Sequence, residues 1–287
     1  VNVTPTGQFL LQTILTTGVL NLNNSTLALN GATLFNGPLT NINGNGTIAI
    51  NTGATLQAGD TGNIANTIVL ELNGGSIADA QFLTIPDQFN INSGNISGVG
   101  SFVTPGTSTV NFSGASDLVL TVDWLSNGIF NFDSSFGDLN IQTATFTNAG
   151  TFNLNQTSAS ADVIGTGAFT NNANLINTST VPSDIAAIFT NSAGVIDIQQ
   201  GTLGLNGAAL TLGGGELKGV GTFTGNVIAD NGSRIAPGDG LTAPAALTVS
   251  GNVSFDSGST FEAEYDGISA DVLNVTGAVT INNGATL

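Results

Sequence analysis

The residues of this chain able to do chemistry are carboxylates. Glu262 and Glu264 stand two apart, with Asp266 close behind. On a strand, residues i and i+2 share a face, so the two glutamates are expected side by side, roughly 7 Å apart. Paired carboxylates at such a separation are what glycoside hydrolysis uses, one as acid and the other as base or nucleophile. The rest of the catalytic inventory is missing. The 287 residues include no His and no Cys. That removes Ser-His-Asp triads, cysteine nucleophiles, and zinc, haem or iron–sulfur sites built from the chain's own side chains. Lys218 and Arg234 are the only cations against 19 Asp and Glu, for a net charge of −17. Phosphate cradles and nucleic-acid grooves therefore lack the charge they need, and an acidic surface is repelled by anionic membrane leaflets. With no Arg, Lys or His expected beside the pair, Glu262 and Glu264 read as solvated or turn-capping groups, and the chain as a non-enzyme.

Calcium is the other chemistry open to an acidic chain. The Gly-Gly-x-Gly-x-Asp pattern of calcium-binding rolls is absent. Asp60, Asp230, Asp239, Asp256 and Asp271 stand mostly alone beside Gly or Asn, the setting of turn-forming aspartates. No cofactor is expected, and calcium at most as a peripheral ion between coils. The threonines at 143, 145 and 147 and at 222 and 224 have the look of ice-binding arrays, but they do not recur at one place in every repeat.

The elements that must position these groups are strands. Gly, Thr and Asn supply 112 residues, charged residues only 7%, and apolar residues 40%. The chain can therefore bury a core, unlike a disordered segment, while amides and hydroxyls solvate its surface. Strong helix formers are scarce and β-branched residues common. Apolar residues alternate in short runs such as Phe130 and Phe132, Phe152 and Leu154, Ile196 and Ile198, broken by Gly, Asn or Asp. Period two with such breaks reads as short strands and turns.

A phrase of Gly, a small residue and then an apolar one recurs at Gly31, Gly53, Gly150, Gly167, Gly201, Gly221, Gly258 and Gly284. Between Gly201 and Gly221 there is room for three strands, near 202–205, 209–212 and 215–218. A cycle of that size is one coil of a parallel β-solenoid, each coil burying its inward face on its neighbours. About a dozen coils at ~4.8 Å each give a rod roughly 55 to 65 Å long. Gly and Asn suit the corners. Asn41, Asn43 and Asn45, and Asn171, Asn172 and Asn174, are candidates for hydrogen-bonded amide ladders. Phe130, Phe132, Phe152, Phe169 and Phe223 are expected inside. Residues 76–140, with Pro86, Pro105 and the single Trp124, are the least regular and the expected place of an insertion or bulge. Trp124 is the candidate there for surface recognition.

The most specific signal lies in residues 213–287. It comprises Gly213-Gly214-Gly215 before Leu217, the phrase Gly219 to Thr222, Ala236-Pro237-Gly238, and Leu247-Thr248-Val249 followed by Gly251-Asn252. Gly258-Ser259-Thr260 then precedes the acidic stretch, and Asp271 precedes Leu273-Asn274-Val275-Thr276-Gly277. In this order the elements resemble the repeat associated with passenger domains of bacterial autotransporters and related large surface adhesins. Residues 143–213 match more loosely. The element after Ala236-Pro237-Gly238 departs from the pattern, with Leu241-Thr242-Ala243-Pro244 slightly longer.

The resemblance implies a right-handed parallel β-helix displayed outside the cell, and the absence of any linker-like segment reads as a single rod spanning 1–287. The chain has no Met and no apolar run near 18 residues, so we expect a stretch of a longer protein, without signal peptide or membrane span. The expected function is structural or adhesive, at the bacterial surface. Its partners would be further copies of itself, joined end to end or laterally, or molecules on a host or neighbouring cell. The alternative is a polysaccharide lyase or tailspike-like hydrolase using Glu262 and Glu264.

Overall fold

A computed structural model describes residues 2–3, 18–30, 32–35, 40–58, 64–78, 85–158, 162–238 and 245–287. Gly31, Asp60, Asp239 and the stretch 241–244 discussed above lie outside the described residues. Among the described residues there is no helix. Short strands pair in parallel, each with a strand one coil away, to build a β-solenoid.

The expected cycle is seen directly. Strands Thr202–Gly204, Leu210–Thr211 and Glu216–Gly219 form one circuit, and the next, Thr222–Thr224, lies on the first with Thr202 opposite Thr222. The coil of Ser101–Thr104, Thr109–Phe112 and Leu118–Leu120 defines a first, second and third side. On the second side one unbroken column runs from Thr26–Leu29 and Thr47–Asn51, through Val69–Ala78 and Gln88–Ile96, to Thr109–Phe112, Ile129–Phe132, Thr151–Leu154 and Asn174–Asn177. It continues through Val195–Ile198, Glu216–Gly219 and Arg234–Pro237 to Thr260–Phe261.

Coils built of three separate strands are somewhat fewer than the dozen expected. Val69–Ala78 and Gln88–Ile96 each run through the second and third sides without a break, their register shifting at Leu72, Asn73 and Ser76. The first side near them holds Ile64, a single bridge to Ile42, and Ile85, whose N–H donates to Val103. Among the described residues the register breaks at 73–76; residues 79–84, within the 76–140 stretch expected to be least regular, lie outside them. From Ser101 onward the strands stack in register, Phe102 on Trp124 and Trp124 on Phe146.

Alternation makes the core. Phe102, Val110, Phe112, Leu118 and Leu120 are all fully buried, one coil's inward set. In-register stacking then puts like on like. Phe130 lies on Phe152 with ring centroids 4.9 Å apart and planes 6° from parallel, Phe112 on Phe132 at 5.3 Å, and Phe146 on Phe169 at 5.2 Å. The five phenylalanines expected inside are all fully buried. Corners demand close approach of backbones: a methyl group added to Gly114 would stand 1.3 Å from the Asn92 carbonyl oxygen, so no larger residue fits there without moving the chain.

Phe152 touches Phe130, Phe132, Phe146 and Phe169. Phe152→Ala is expected to cost about 3–5 kcal/mol, read as a lowered urea midpoint with an unchanged slope. A loss below about 1 kcal/mol would mean the stack closes over the gap and is not the packing that fixes the coils.

Candidate functional site

The glutamate pair does not form as the spacing predicts. The strand ends at Phe261, and the chain leaves the column as a small outward loop whose base is the antiparallel bridge Tyr265–Ala270. Asp271 causes the departure. Its carboxylate accepts the N–H of Ala245 at 2.8 Å and of Glu264 at 2.9 Å, while its own N–H donates to the Glu264 carbonyl at 2.9 Å. Glu262 and Glu264 are exposed and do not share a strand face. Asp266 turns the loop: its Oδ1 accepts the N–H of Ile268 and of Ser269, both at 2.8 Å. Those amides hold its carboxyl below the usual aspartate range.

A cation does stand at Glu262, against the expectation from sequence. The Arg234 guanidinium donates Nη1–H to Glu262 Oε2 at 2.6 Å and Nη2–H to Glu216 Oε1 at 2.5 Å. Register explains the pairing, since Arg234 lies between Glu216 and Thr260 in the second-side column. Lys218 lies in the same column beside Asp197. Both cations of the chain thus sit among carboxylates in adjacent coils. They are a long way apart from Glu262 in sequence, which is why spacing alone did not show them.

Trp124 is not a surface residue. It is 1% exposed, packed edge-on against Phe102 at 4.8 Å and against Phe130 at 5.4 Å. Its indole N–H donates to Thr104 Oγ1 at 2.7 Å. The alternation that buries Phe102 and Phe146 buries the indole between them, so it has no face for a ligand.

Amide ladders carry more of the structure than the sequence reading assigned them. Asn171 is the middle of a buried ladder: Asn148 Nδ2–H donates to Asn171 Oδ1 at 2.7 Å, and Asn171 Nδ2–H to Asn191 Oδ1 at 2.8 Å. Asn148 Nδ2–H also reaches the Asn174 carbonyl at 2.8 Å, and Asn191 Nδ2–H the Leu212 carbonyl at 2.7 Å. Asn45 makes a smaller link, accepting the Asn24 N–H at 3.0 Å. A second ladder, missed in the sequence, runs up the outward face of the second side. There Asn111 donates to Asn90, Asn131 to Asn111 and Asn153 to Asn131, at 3.1, 2.8 and 2.8 Å. Its signal was legible as Asn between two apolar residues at Phe89-Asn90-Ile91, Val110-Asn111-Phe112, Phe130-Asn131-Phe132 and Phe152-Asn153-Leu154.

Aspartates stack too. The N–H of Asp138 donates to Asp117 Oδ1 at 3.1 Å, that of Asp162 to Asp138 at 2.9 Å, that of Asp184 to Asp162 at 3.1 Å and that of Asn206 to Asp184 at 2.7 Å. Burial pushes the carboxyls of Asp138 and Asp162 above the usual aspartate value; the accepted amide hydrogen bonds oppose this, and neighbouring carboxylates add to it. Of the aspartates considered for calcium, Asp230 accepts the Gly214 N–H at 3.2 Å, and Asp256 accepts from Ser254 Oγ and from Asn282 Nδ2. Among the described residues no group of three or more acidic side chains is placed to hold a metal ion. Threonines align over three coils at Thr147, Thr170 and Thr190, bounded by Leu125, and again at Thr202, Thr222 and Thr248, bounded by Asn274.

Shallow concavities occur among the described residues. One of about 340 Å³ lies beside Thr67, Asp87, Gln88 and Asn111. Another, of about 380 Å³, opens at the last coil between Phe255, Phe261, Val275, Val279 and Ile281. At that end Val279 and Ile281 are 50% and 53% exposed, whereas Val253 and Phe255, paired with them one coil earlier, are 1% and 2%.

The class these features define is a parallel β-solenoid whose polar side chains mainly join one coil to the next. Comparison with known proteins gave no matching family model, curated protein or solved structure.

Asn171→Ala removes the middle of a buried network and leaves Asn148 and Asn191 short of a partner. It is expected to cost about 2–4 kcal/mol. Arg234→Met breaks two ion pairs whose members are partly exposed, at 31%, 16% and 52%, and is expected to cost about 1 kcal/mol or less. Equilibrium unfolding in denaturant ranks the two, and a reversed order would place the intercoil strength in the ion pairs.

Proposed function

We propose that this chain is a non-enzymatic structural or adhesive β-solenoid segment of a bacterial surface protein, working outside the cell as a rod. The observation that supports it most is the single second-side column, twelve strands long from Thr26–Leu29 to Thr260–Phe261. At ~4.8 Å per strand that column spans roughly 50 to 55 Å. The resemblance of residues 213–287 to autotransporter passenger repeats supplies the setting, and the commitment of Arg234, Trp124 and the asparagines to packing supports a mechanical reading over a catalytic one. Its partners are then further copies of the rod or molecules of a host or neighbouring cell.

Axial load on such a rod is shared by the three strands of a coil and passed in series from coil to coil. Pulled from its ends in a force spectrometer, the chain is expected to yield in steps of one or a few coils, each coil of about 20 residues releasing about 7 nm. Extension without any resisting step would remove the mechanical role. A panel of bacterial and host polysaccharides is expected to remain uncut. Cleavage that disappears in the Glu262→Gln, Glu264→Gln double variant would replace the rod reading with the enzyme.

A further inference from the structure

Asp117, Asp138, Asp162 and Asp184 occupy one corner in four successive coils, at or just before the third-side strands Leu118–Leu120, Leu139–Ile141, Val163–Ile164 and Pro182–Asp184. Each carboxylate accepts the backbone N–H of the next member, and Asn206 closes the series. The column is therefore both a set of intercoil hydrogen bonds and a line of like charge. Elsewhere the same stacking is done by neutral amides, as from Asn90 to Asn153. The charged groups that act on Asp138 and Asp162 are members of the column itself, Asp117 on the first and Asp184 and Asp138 on the second. Asp133, at the other end of the connection that leads to Asp138, accepts from Asn155 Nδ2 at 2.7 Å, and Asp123, on the next corner, accepts the Thr145 N–H at 2.8 Å. Lys218 and Arg234 lie in the second-side column, beside Asp197 and between Glu216 and Glu262.

We propose that this aspartate column is an acid-tightened clasp, holding its coils together better in mild acid than at neutral pH. A protonated carboxyl keeps an oxygen that accepts hydrogen bonds, so protonation preserves each amide link while removing repulsion between neighbours. The half-buried setting of Asp138 and Asp162 works in the same direction, raising both above the ordinary aspartate value. The sign follows from linkage. A carboxyl whose folded pKa is raised binds more protons folded than unfolded, so its contribution is full below the ordinary value and is lost as pH rises through the folded one. This opposes the usual acid unfolding, and the inference rests on the fold alone, not on the extracellular rod.

The test is thermal unfolding of the whole chain at about pH 7 and about pH 4.5. The melting temperature is expected to rise on acidification. Asp138→Asn with Asp162→Asn, which keeps the accepting oxygen and drops the charge, is expected to lose most of that rise by gaining stability at neutral pH. Glu71→Gln with Glu264→Gln, an equal change of net charge away from the column, should retain it. Equal loss in both pairs assigns the effect to net charge and overturns the clasp. Carboxyl-carbon NMR titration of the unaltered chain decides independently of how the variants fold. Asp138 and Asp162 are expected to titrate above exposed aspartates and well above Asp266; titration at or below the ordinary aspartate range overturns the proposal.

Discussion

Everything in this molecule depends on one distance, the roughly 4.8 Å between parallel strands in neighbouring coils. Each residue of a strand has a counterpart at that spacing above and below it, on the same face, for as long as register holds. Whatever chemistry a position has is thereby multiplied along the rod. Aromatic rings meet rings, as Phe130 meets Phe152. Amides meet amides, as Asn111 meets Asn131. A single choice of residue type is tested not once but at each coil it recurs in.

That multiplication explains the composition. An amide carries both donor and acceptor, so a column of asparagines satisfies itself with every Nδ2–H on the next Oδ1. A hydroxyl column is tolerant for the same reason. A charge is not, because its counterpart at 4.8 Å has the same sign: the repulsion is about 1 kcal/mol in water and nearer 3–4 kcal/mol at an effective dielectric of 20. Gly, Thr and Asn at 112 residues and only 21 charged ones are what a stacked rod of this kind tolerates. The cations illustrate the exception that is allowed, Arg234 stacking on Glu216 in its column and reaching Glu262 just beyond the column's last strand.

How much of this was legible in the sequence depended on whether the feature was local. Period two, the recurring glycines and the 20-residue cycle from Gly201 to Gly221 are local, and they led to the solenoid, its strands and its buried phenylalanines. Trp124 was misplaced because proline and irregular spacing nearby outweighed its own alternation with Leu118, Leu120 and Val122, all buried. The glutamate pair was misread for a different reason. Its geometry is set by Asp271 and its charge partner by Arg234, both brought in by coil stacking, so two residues at i and i+2 held no information about either.

The aspartates mark the boundary between those cases. Asp-Leu at 117 and 138, Asp-Val at 162 and Asp-Ile at 184 form a repeated pair as plain as the Asn ladder's triplets, yet irregular spacings disguise it. Irregular spacing is itself permitted by the fold: corners absorb insertions while strands keep register, as Leu139 still meets Val163. A search at fixed period therefore loses what a search for an invariant neighbour recovers. In a solenoid the useful unit is the polar residue together with the apolar residue it precedes, because the apolar partner is anchored in the core and fixes where the polar one must stack. Read in that way, a column of four carboxylates with an amide at its end stops being scattered turn residues. It becomes a line of like charges kept in register over four coils, and so a place where proton concentration acts directly on how those coils hold together.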